Sequence, residues 1–255
     1  MRNLCVFTLA LFLTTAAQAF ETPSKQAFLL DLSTGATLYA KEADAQMYPS
    51  SMTKIMTVYL LFERLKEGSL TLEDEFLVSE KAWRTQGSKM FVHVGDYVKV
   101  GDLMRGIIVQ SGNDACIVVA EGLAGSEESF AELMNKKAAE LGMTGTNFVN
   151  SSGWPEDNHY TTARDLAILS AAMIQNFPDL YPYWAEREFT YNNITQPNRN
   201  TLLGELGVDG LKTGHTEIAG YGITVSGEMQ GRRLVAVVNG LSSMAERINE
   251  ARSLM

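Results

Sequence analysis

The stretch GYGITVSGEMQGRRLVAVVNGL (residues 220–241) decides the fold class of this chain. Two runs rich in β-branched and small residues flank a turn at residues 229–232, and this pattern predicts a β-hairpin. A second hairpin is predicted near the other end of the chain, in AFLLDLSTGATLYAK (residues 27–41), with its turn at residues 33–35. Strands near both ends of the chain predict one antiparallel sheet drawn from both termini.

The segments between the two hairpins are predicted to be mainly helical. A helix opens at Ser50 or Ser51 and ends before Gly68, and its apolar residues recur at helical spacing. Residues 70–100 are expected to form loops and short strands. Further helices are predicted at 100–125 (two helices broken at 111–113), at 126–143 with Ser126 as N-cap and Gly142 near its end, at 161–177 with Thr162 as N-cap, and in the C-terminal tail. The expected fold class is α/β in the α+β sense: an antiparallel sheet packed against helices, with a helical cluster inserted.

The composition favours one folded domain and excludes some classes of function. The chain has 255 residues, 45% of them hydrophobic, which is enough for one substantial core. Its formal net charge is −9 and it has no basic tract, so binding to nucleic acid is not expected. The histidines, His93, His159 and His215, do not stand at metal-ligand spacing, and we expect neither a metal nor another cofactor.

The first 19 residues have the three parts of a secretory signal peptide. Arg2 is followed by an apolar run over residues 4–13 and then by the small-residue site Ala17-Gln18-Ala19. Cleavage after this site would leave residues 20–255 as one domain exported to a bacterial periplasm, with Cys116 as its single cysteine. A single cysteine cannot form an internal disulfide, so the core alone must stabilise the exported domain.

Ser51 and Lys54 form the first chemical motif, Ser-x-x-Lys, at the head of the apolar helix. Residues three apart share one face of a helix, so the lysine can reach the serine hydroxyl and accept its proton if the lysine is neutral. Burial lowers the pKa of a lysine, which makes apolar surroundings a requirement for such a base. A match to so short a motif is common by chance, and further motifs are needed to give it weight.

Two further motifs follow in the chain. Ser111-Gly112-Asn113 offers a hydroxyl and an amide that can orient a substrate amide, although such tripeptides are usually loop residues. Lys212-Thr213-Gly214 precedes a strand-like run; its cation and hydroxyl can bind a carboxylate, and its glycine permits close approach of another backbone. Each motif alone is weak evidence, but the three together in this order are rarely found by chance.

The order Ser-x-x-Lys, Ser-x-Asn, Lys-Thr-Gly resembles that of the penicillin-binding protein and serine β-lactamase superfamily. With PSSMTKIMT, QSGNDAC, HYTTARDLA, QPNRN and VDGLKTGHTEIAGYG, the chain resembles more narrowly the low-molecular-mass D-alanyl-D-alanine carboxypeptidases, the peptidase S11 family, from about Phe28 to its end. The resemblance implies a β-lactamase/transpeptidase-like fold. It also implies removal of the terminal D-alanine from peptidoglycan pentapeptides ending in D-Ala-D-Ala, with β-lactam antibiotics as covalent inhibitors and a part in cell-shape maintenance.

The resemblance further implies the residues that act on the substrate. Ser51 would be the acylated nucleophile and Lys54 its general base. Ser111 would relay a proton together with Lys212. The backbone N–H groups of Ser51 and His215 would form the oxyanion hole.

Other residues are implied in binding. Asn113 would hold the substrate amide. The residues implied in seating the peptide and its terminal carboxylate are Lys212, Thr213, Gly214, His215 and Arg199. Trp154 departs from the family pattern, in which leucine is expected at this place, and the departure bears on local packing.

Three alternatives share the motifs or the fold. A D,D-endopeptidase acting on cross-links would use the same residues. A class A-like β-lactamase would need a Glu-x-x-x-Asn loop, which Glu156 in PEDNH does not supply. A non-catalytic peptidoglycan-binding protein is the third, and the intact motifs argue against it. A Ser-His-Asp triad is disfavoured because the chain has no Gly-x-Ser-x-Gly, and His159 is expected to be a hydrogen-bonding loop residue.

Members of the resembled family often continue into a small β-rich domain and an amphipathic helix that lies on the inner membrane. The chain ends at Met255 without these parts, and we favour a fragment over a single-domain member. Contact with a membrane is expected only for a form with a longer C-terminus.

Overall fold

The computed structural model describes residues 20–255, and the predicted signal peptide at residues 1–19 lies outside the described residues. The strands are β1 Gln26–Asp31, β2 Ala36–Lys41, β3 Glu75–Leu77, β4 Tyr97–Lys99, β5 Glu188–Tyr191, β6 Ile194–Pro197, β7 Val208–Thr216, β8 Gly220–Met229 and β9 Arg232–Leu241. The helices are α1 Lys54–Lys66, α2 Glu80–Arg84, α3 Val100–Ile108, α4 Asn113–Ala124, α5 Glu127–Leu141, α6 Ala163–Asn176 and α7 Met244–Leu254. Two 3₁₀ turns occupy Ser50–Thr53 and Tyr181–Ala185.

The main sheet joins the two ends of the chain. Its strand order is β2–β1–β9–β8–β7, and every neighbouring pair is antiparallel. β1 from the first hairpin lies directly beside β9 from the last, with Phe28 opposite Val237. The predicted α+β class, with an antiparallel sheet drawn from both chain ends, is therefore confirmed.

Alternating side chains of the sheet pack against helices on both faces. Val235 and Val237 of β9 lie in one buried cluster with the apolar face of α6. Leu234, Ala236 and Val238 point the other way and share a cluster with Ala251 and Leu254 of α7. This period of two is what a strand buried on both faces requires.

The inserted helices form the largest buried cluster. It combines apolar side chains of α1, α3, α4 and α5, and Trp184 of the second 3₁₀ turn is fully buried in it. The break predicted at residues 111–113 separates α3 from α4. None of the helices in the described part of the chain is long and apolar enough to cross a membrane.

The predicted helix ends agree with the structure except at α1. The Oγ of Ser126 accepts from the N–H of Ser129, and Gly142 has φ 79° after the last turn of α5. Thr162 caps α6 in the same way. The helix expected to open at Ser50 or Ser51 instead begins with the 3₁₀ turn and becomes α-helical at Lys54.

The sequence did not predict α2 or the β5–β6 hairpin. Residues 70–100 contain the expected short strands β3 and β4, but also α2, whose five residues are too few to show an apolar period. β5 and β6 have four residues each and are mostly exposed, so they lack the pattern of a half-buried strand.

A pair of glycines lets the first 3₁₀ turn lie directly on the sheet. Gly214 and Gly222 are opposite each other on β7 and β8. A Cβ at Gly214 would lie 2.9 Å from the carbonyl oxygen of Pro49, and a Cβ at Gly222 would lie 2.9 Å from the Cε of Met52. The fully buried side chain of Met52 occupies the space that the two missing side chains leave.

Met52→Ala tests how much this contact stabilises the fold. Truncation leaves a cavity between the turn and the sheet, and we expect the free energy of unfolding to fall by about 2–5 kcal/mol. Urea denaturation measures the change. The matched control is Met244→Ala, since Met244 is 63% exposed and its loss should change stability by less than about 0.5 kcal/mol. Equal effects of the two substitutions would contradict the packing role of Met52.

Candidate active site

Ser51 and Lys54 meet at the start of α1. Ser51 lies in the 3₁₀ turn and is half-buried, whereas Lys54 begins α1 and is fully buried. The Nζ of Lys54 is 3.0 Å from the Oγ of Ser51. The structure thus places the amine of the first motif on the hydroxyl of the same motif.

Two further acceptors hold the amine of Lys54. Its Nζ lies 2.7 Å from the Oδ1 of Asn113 and 2.7 Å from the carbonyl oxygen of Ser152. The amide of Asn113 cannot turn over without losing the hydrogen bond that its Nδ2 donates to the carbonyl of Gln86, at 2.8 Å. A neutral amine has two N–H groups and one lone pair. Because Asn113 and Ser152 offer only oxygens that accept, they take both N–H groups and direct the lone pair at Ser51.

Burial and neighbouring cations favour the neutral form of this amine. Burial, together with the smaller effect of the Arg199 guanidinium, lowers the pKa of Lys54 to about 8. Lys212 is also buried, and burial followed by repulsion from Lys54 lowers the pKa of Lys212 well below its usual value. The site therefore holds two lysines that lose their protons more readily than lysines in water.

The carbonyl of Ser152 belongs to a tightly held loop. The Oδ1 of Asn150 accepts from the backbone N–H groups of Ser152, Gly153 and Trp154, at 2.8–3.2 Å. Gly153 has φ 81° and lies so close to the first 3₁₀ turn that a Cβ there would be 1.8 Å from the carbonyl oxygen of Ser50. The loop is therefore packed directly against this turn, with its Ser152 carbonyl on Lys54.

A second anchor reaches this loop from α5. The Oε1 of the buried Glu127 accepts from the backbone N–H of Ser151 at 3.1 Å and from its hydroxyl at 2.6 Å. Thr57 of α1 donates to the carbonyl of Ser151 at 2.6 Å. Both backbone polar groups of Ser151 are bound, so Asn150 and Glu127 together orient the next residue, whose carbonyl receives Lys54.

Ser111 stands at the break between α3 and α4. Its φ is 60°, its side chain is buried, and its Oγ has no hydrogen-bond partner within the described residues. The predicted relay contact between Ser111 and Lys212 is not formed, and the Nζ of Lys212 is only 3.4 Å from the carbonyl of Thr213. Asn113 makes hydrogen bonds to Lys54 and Gln86 inside the protein, and its expected contact with a substrate amide stays a prediction.

The third motif lies within β7, the strand that precedes the predicted hairpin of β8 and β9. Lys212, Thr213 and Gly214 are buried in this strand, and His215 follows with an exposed side chain that stacks on Tyr221 at 3.9 Å between ring centroids. β7 ends the main sheet, and no other strand of the described chain covers its outer side. The 3₁₀ turn that carries Ser51 packs on the face of the sheet at Gly214, within this edge strand.

A groove of about 770 Å³ starts at the serine and runs along β7 to α7. Its lining contains residues from all three motifs: Ser51, Ser111, Thr213, Gly214 and His215. The far part is formed by Arg199 and by α7, with Met244, Arg247 and Ile248. The groove opens onto Ser51.

Two cations without carboxylate partners among the described residues line this groove, and a third, Lys212, is buried in β7. Within residues 20–255, Arg199, Lys212 and Arg247 form no ion pair with an acidic side chain, whereas the neighbouring Arg252 is paired with Glu205. In a chain with a net charge of −9, unpaired cations at one groove mark it as a site for an anion.

Arg247 was missed by the sequence reasoning. It is only 5% exposed, its Nε has no hydrogen-bond partner within the described residues, and burial lowers its pKa to about 10. Its guanidinium carbon lies 5.7 Å from the centre of the Tyr221 ring. The signal was its spacing, because Arg247 shares the apolar face of α7 with Ala251 and Leu254, where an arginine is unexpected.

His159 is a buried neutral histidine beside the site. Its Nδ1 accepts from the backbone N–H of Val149 at 3.1 Å, which leaves its Nε2 to donate to the Oγ1 of Thr53 at 2.9 Å. Burial, and then repulsion from Lys54, lowers the pKa of His159 to about 4. This agrees with the expected hydrogen-bonding loop residue.

No metal-binding chemistry is evident in the described residues. They contain no group of three His, Cys, Asp or Glu side chains that could hold a metal ion. Cys116 is buried in α4, and burial raises the pKa of its thiol to about 12, so it is not a reactive thiolate.

Known proteins match this chain in sequence and in structure. The family model for D-alanyl-D-alanine carboxypeptidase matches residues 13–243. The D-alanyl-D-alanine carboxypeptidase DacC of Escherichia coli is 43% identical over 94% of this chain. Penicillin-binding protein 5 of Haemophilus influenzae superposes with a TM-score of 0.91 at 39% identity, over 94% of this chain and 71% of that one. Penicillin-binding protein D2 of Listeria monocytogenes, bound to cefotaxime, superposes with a TM-score of 0.85 at 27% identity, over 94% of this chain and 98% of that one.

The chain is shorter than the curated relatives. It spans 63% of the length of the Escherichia coli DacC protein and 59% of that of the Haemophilus influenzae DacA protein, which is 40% identical to it. It therefore corresponds to part of each of these proteins.

The buried His159 predicts an acid-sensitive stability. Between about pH 6.5 and about pH 4 the unfolded chain protonates this histidine and the native chain does not, so native stability falls as the pH falls through this range. The loss attributable to His159 should approach about 3 kcal/mol. Urea denaturation at about pH 7 and about pH 4.5 measures it.

His159→Gln should show a smaller difference in stability between the two pH values than the wild type. His93→Gln, at an exposed position, is the control and should behave as the wild type does. An identical pH dependence of stability in His159→Gln and in the wild type would contradict the prediction, because it would show that folding does not lower the pKa of His159.

Proposed function

The chain belongs to the D-alanyl-D-alanine carboxypeptidase family, peptidase S11, and from this membership we propose that it is a serine-type carboxypeptidase. It would release the terminal D-alanine from peptidoglycan stem peptides that end in D-Ala-D-Ala. The reaction would pass through an acyl-enzyme on Ser51.

The observation that carries this proposal is the set of partners around Lys54. Two accepting oxygens, on Asn113 and Ser152, take the N–H groups of the neutral amine and leave its lone pair on the hydroxyl of Ser51. The same amine is fully buried, and its pKa is lowered to about 8. A serine with a positioned, partly neutral amine is an activated nucleophile.

Acylation would proceed by transfer of the Ser51 proton to Lys54. The Oγ of Ser51 attacks the carbonyl carbon of the penultimate D-alanine, the new C–O bond forms, and the proton moves to the Nζ of Lys54. The C–N bond to the terminal D-alanine then breaks, and its amine leaves with a proton that returns from Lys54 by way of the hydroxyl of Ser111. Lys212 would assist this relay.

The backbone at Ser51 and at β7 supports the developing negative charge. The N–H groups of Ser51 and His215 are proposed as the oxyanion hole, because Ser51 lies in the first turn leading into α1 and β7 has an uncovered side. The substrate peptide would lie along β7, beside Thr213 and Gly214.

The unpaired cations would bind the terminal carboxylate. Arg247 and Arg199 line the groove beyond Ser51, and Lys212 lies buried behind it. A carboxylate is the anion that every D-Ala-D-Ala peptide carries at this end, and an arginine can bind it with two parallel hydrogen bonds. The hydroxyl of Thr213 adds a donor.

Water would complete the cycle. It attacks the acyl carbon and gives its proton to Lys54, and the ester bond to Ser51 breaks as the serine recovers the proton. β-Lactams would acylate the same serine, as expected from the antibiotic-bound relative. The resulting acyl-enzyme would be hydrolysed slowly.

A class A-like β-lactamase and a non-catalytic binding protein fit the site less well than a carboxypeptidase. Glu156, the loop glutamate nearest the site in sequence, is exposed and accepts from the Nδ2 of Asn150 at 2.9 Å, so it does not activate a water at Ser51 as a class A β-lactamase glutamate does. The complete Ser51–Lys54 contact argues against a purely binding role.

The proposed place of action is the periplasm, on peptidoglycan, where trimming of stem peptides would serve cell-wall synthesis and cell shape. Residues 1–19 would be the export signal and residues 20–255 the catalytic domain. We propose membrane contact only through sequence beyond the described domain.

Ser51→Ala should abolish both D-alanine release and the mass gain on exposure to benzylpenicillin. The reason is that no other hydroxyl contacts the amine of Lys54 within the described residues. Intact-mass spectrometry and a D-alanine assay measure the two effects. The matched control is the neighbouring Ser50→Ala, because the Oγ of Ser50 is directed at Thr216 instead, at 3.3 Å. Labelling of Ser51→Ala, or loss of labelling in Ser50→Ala alone, would contradict the assignment.

The acylation rate should rise with pH and reach half of its maximum near pH 8, where Lys54 loses its proton. Arg199→Gln removes a cation that lowers the pKa of Lys54, so the half-maximum should move to higher pH. Stopped-flow acylation by benzylpenicillin across this range measures both. The exposed Arg84→Gln, which breaks only a surface pair with Glu80, should leave the profile unchanged. A profile that is flat between about pH 6 and about pH 9 would rule out Lys54 as the base.

A further inference from the structure

Trp154 presents a half-exposed indole from a rigid backbone. The backbone N–H of Trp154 donates to the Oδ1 of Asn150 at 3.1 Å and to the Oγ of Ser152 at 3.3 Å. Its backbone carbonyl accepts from the Nδ2 of Asn150 at 2.9 Å. The side chain is nevertheless 45% exposed. A single exposed aromatic residue is ordinary on a protein surface, so its position must decide whether it has a role.

The position of the indole is beside the amide that holds Lys54. Gly87 lies between the two: a Cβ on Gly87 would be 2.7 Å from the Nδ2 of Asn113 and 3.0 Å from the Cζ3 of Trp154. The absence of a side chain at Gly87 therefore gives the indole and the amide of Asn113 one continuous surface. The same amide lies 2.7 Å from the Nζ of Lys54.

The indole also lies away from the cationic part of the site. The groove with Arg199 and Arg247 runs from Ser51 along β7 to α7, and Trp154 is not part of its lining. In a substrate seated with its terminal carboxylate on these cations, the leaving D-alanine occupies that groove. The acyl part of a peptide that lies along β7 then continues past Ser51 on the side away from these cations. Trp154 lies outside the groove, where the loop of Ser152 meets Asn113 and Lys54.

We propose that the indole of Trp154 and the adjacent backbone of Gly87 form a subsite. This subsite would bind an aliphatic or aromatic group on the acyl side of the scissile bond. This inference rests on the proposed function. In a stem peptide the group is the side chain of the residue before D-Ala-D-Ala, and in a penicillin it is the acylamino side chain. The indole face offers apolar contact area, and its backbone is already ordered, so little conformational entropy is lost on binding.

The test compares two β-lactams that differ only in this group. Benzylpenicillin carries an aromatic acylamino side chain, whereas 6-aminopenicillanic acid has the same bicyclic core and carboxylate without it. Second-order acylation rates are measured by time-resolved intact-mass spectrometry for the wild type, Trp154→Ala, Trp154→Phe and Trp83→Ala. Trp83 on α2 is the matched control, because it is 43% exposed and is not among the residues nearest to a Cβ on Gly87, which are Asn113 and Trp154.

Trp154→Ala should slow acylation by benzylpenicillin about tenfold, the loss expected for one aromatic contact, and should leave 6-aminopenicillanic acid within about twofold of the wild type. Trp154→Phe should restore most of the difference, and Trp83→Ala should change neither rate. Equal slowing of both compounds by Trp154→Ala, or no slowing of benzylpenicillin, would overturn the subsite. A wild-type protein that neither compound acylates would instead contradict the proposed function.

Discussion

The burial of the Lys54 amine is the constraint on which the rest of the site depends. An ammonium removed from water is costly unless it is paired or loses its proton, and no carboxylate pairs with Lys54 in the described residues. The hydrogen-bond partners of the amine are neutral oxygens of Ser51, Asn113 and Ser152. The oxygens of Asn113 and Ser152 accept from the amine in either protonation state, so the lysine can gain and lose a proton without rearrangement of its neighbours.

The two oxygens that hold the amine of Lys54 come from distant parts of the chain, and each has its own support. Asn113 opens α4 and is held by the carbonyl of Gln86, while the loop carbonyl of Ser152 is held through Asn150 and Glu127. The inserted helical cluster is thus more than a core. It fixes the relative positions of the first motif, the second motif and the loop, and the sheet supplies the third motif from the opposite side.

Sequence reasoning was strongest where the signal was periodic or chemically specific. The two hairpins and α3 to α6 followed from alternation, apolar spacing and caps, and the order of three short motifs indicated which residues would meet. It was weakest where the decisive group has no side-chain signature. The carbonyl of Ser152 could not be foreseen because any residue supplies a carbonyl, and α2 and β5–β6 are too short to show a period. Arg247 was visible as an arginine on an apolar helix face, but only its depth beside the groove explains it.

The glycine pair on β7 and β8 has a consequence for how the cleft can adapt. Where Gly214 faces the turn of Ser51, the backbone of β7 packs against the backbone of the turn at Pro49. The spacing between the nucleophile and the strand is therefore set here by main-chain atoms of β7 and not by one of its side chains. At Gly214 the strand has no side chain that a substitution could shorten. Differences in what such a cleft admits are therefore expected on the opposite wall, in the loops around Gly87 and Trp154. The glycine of the third motif thus has a packing role of its own, because any side chain at this position would push the 3₁₀ turn away from the sheet.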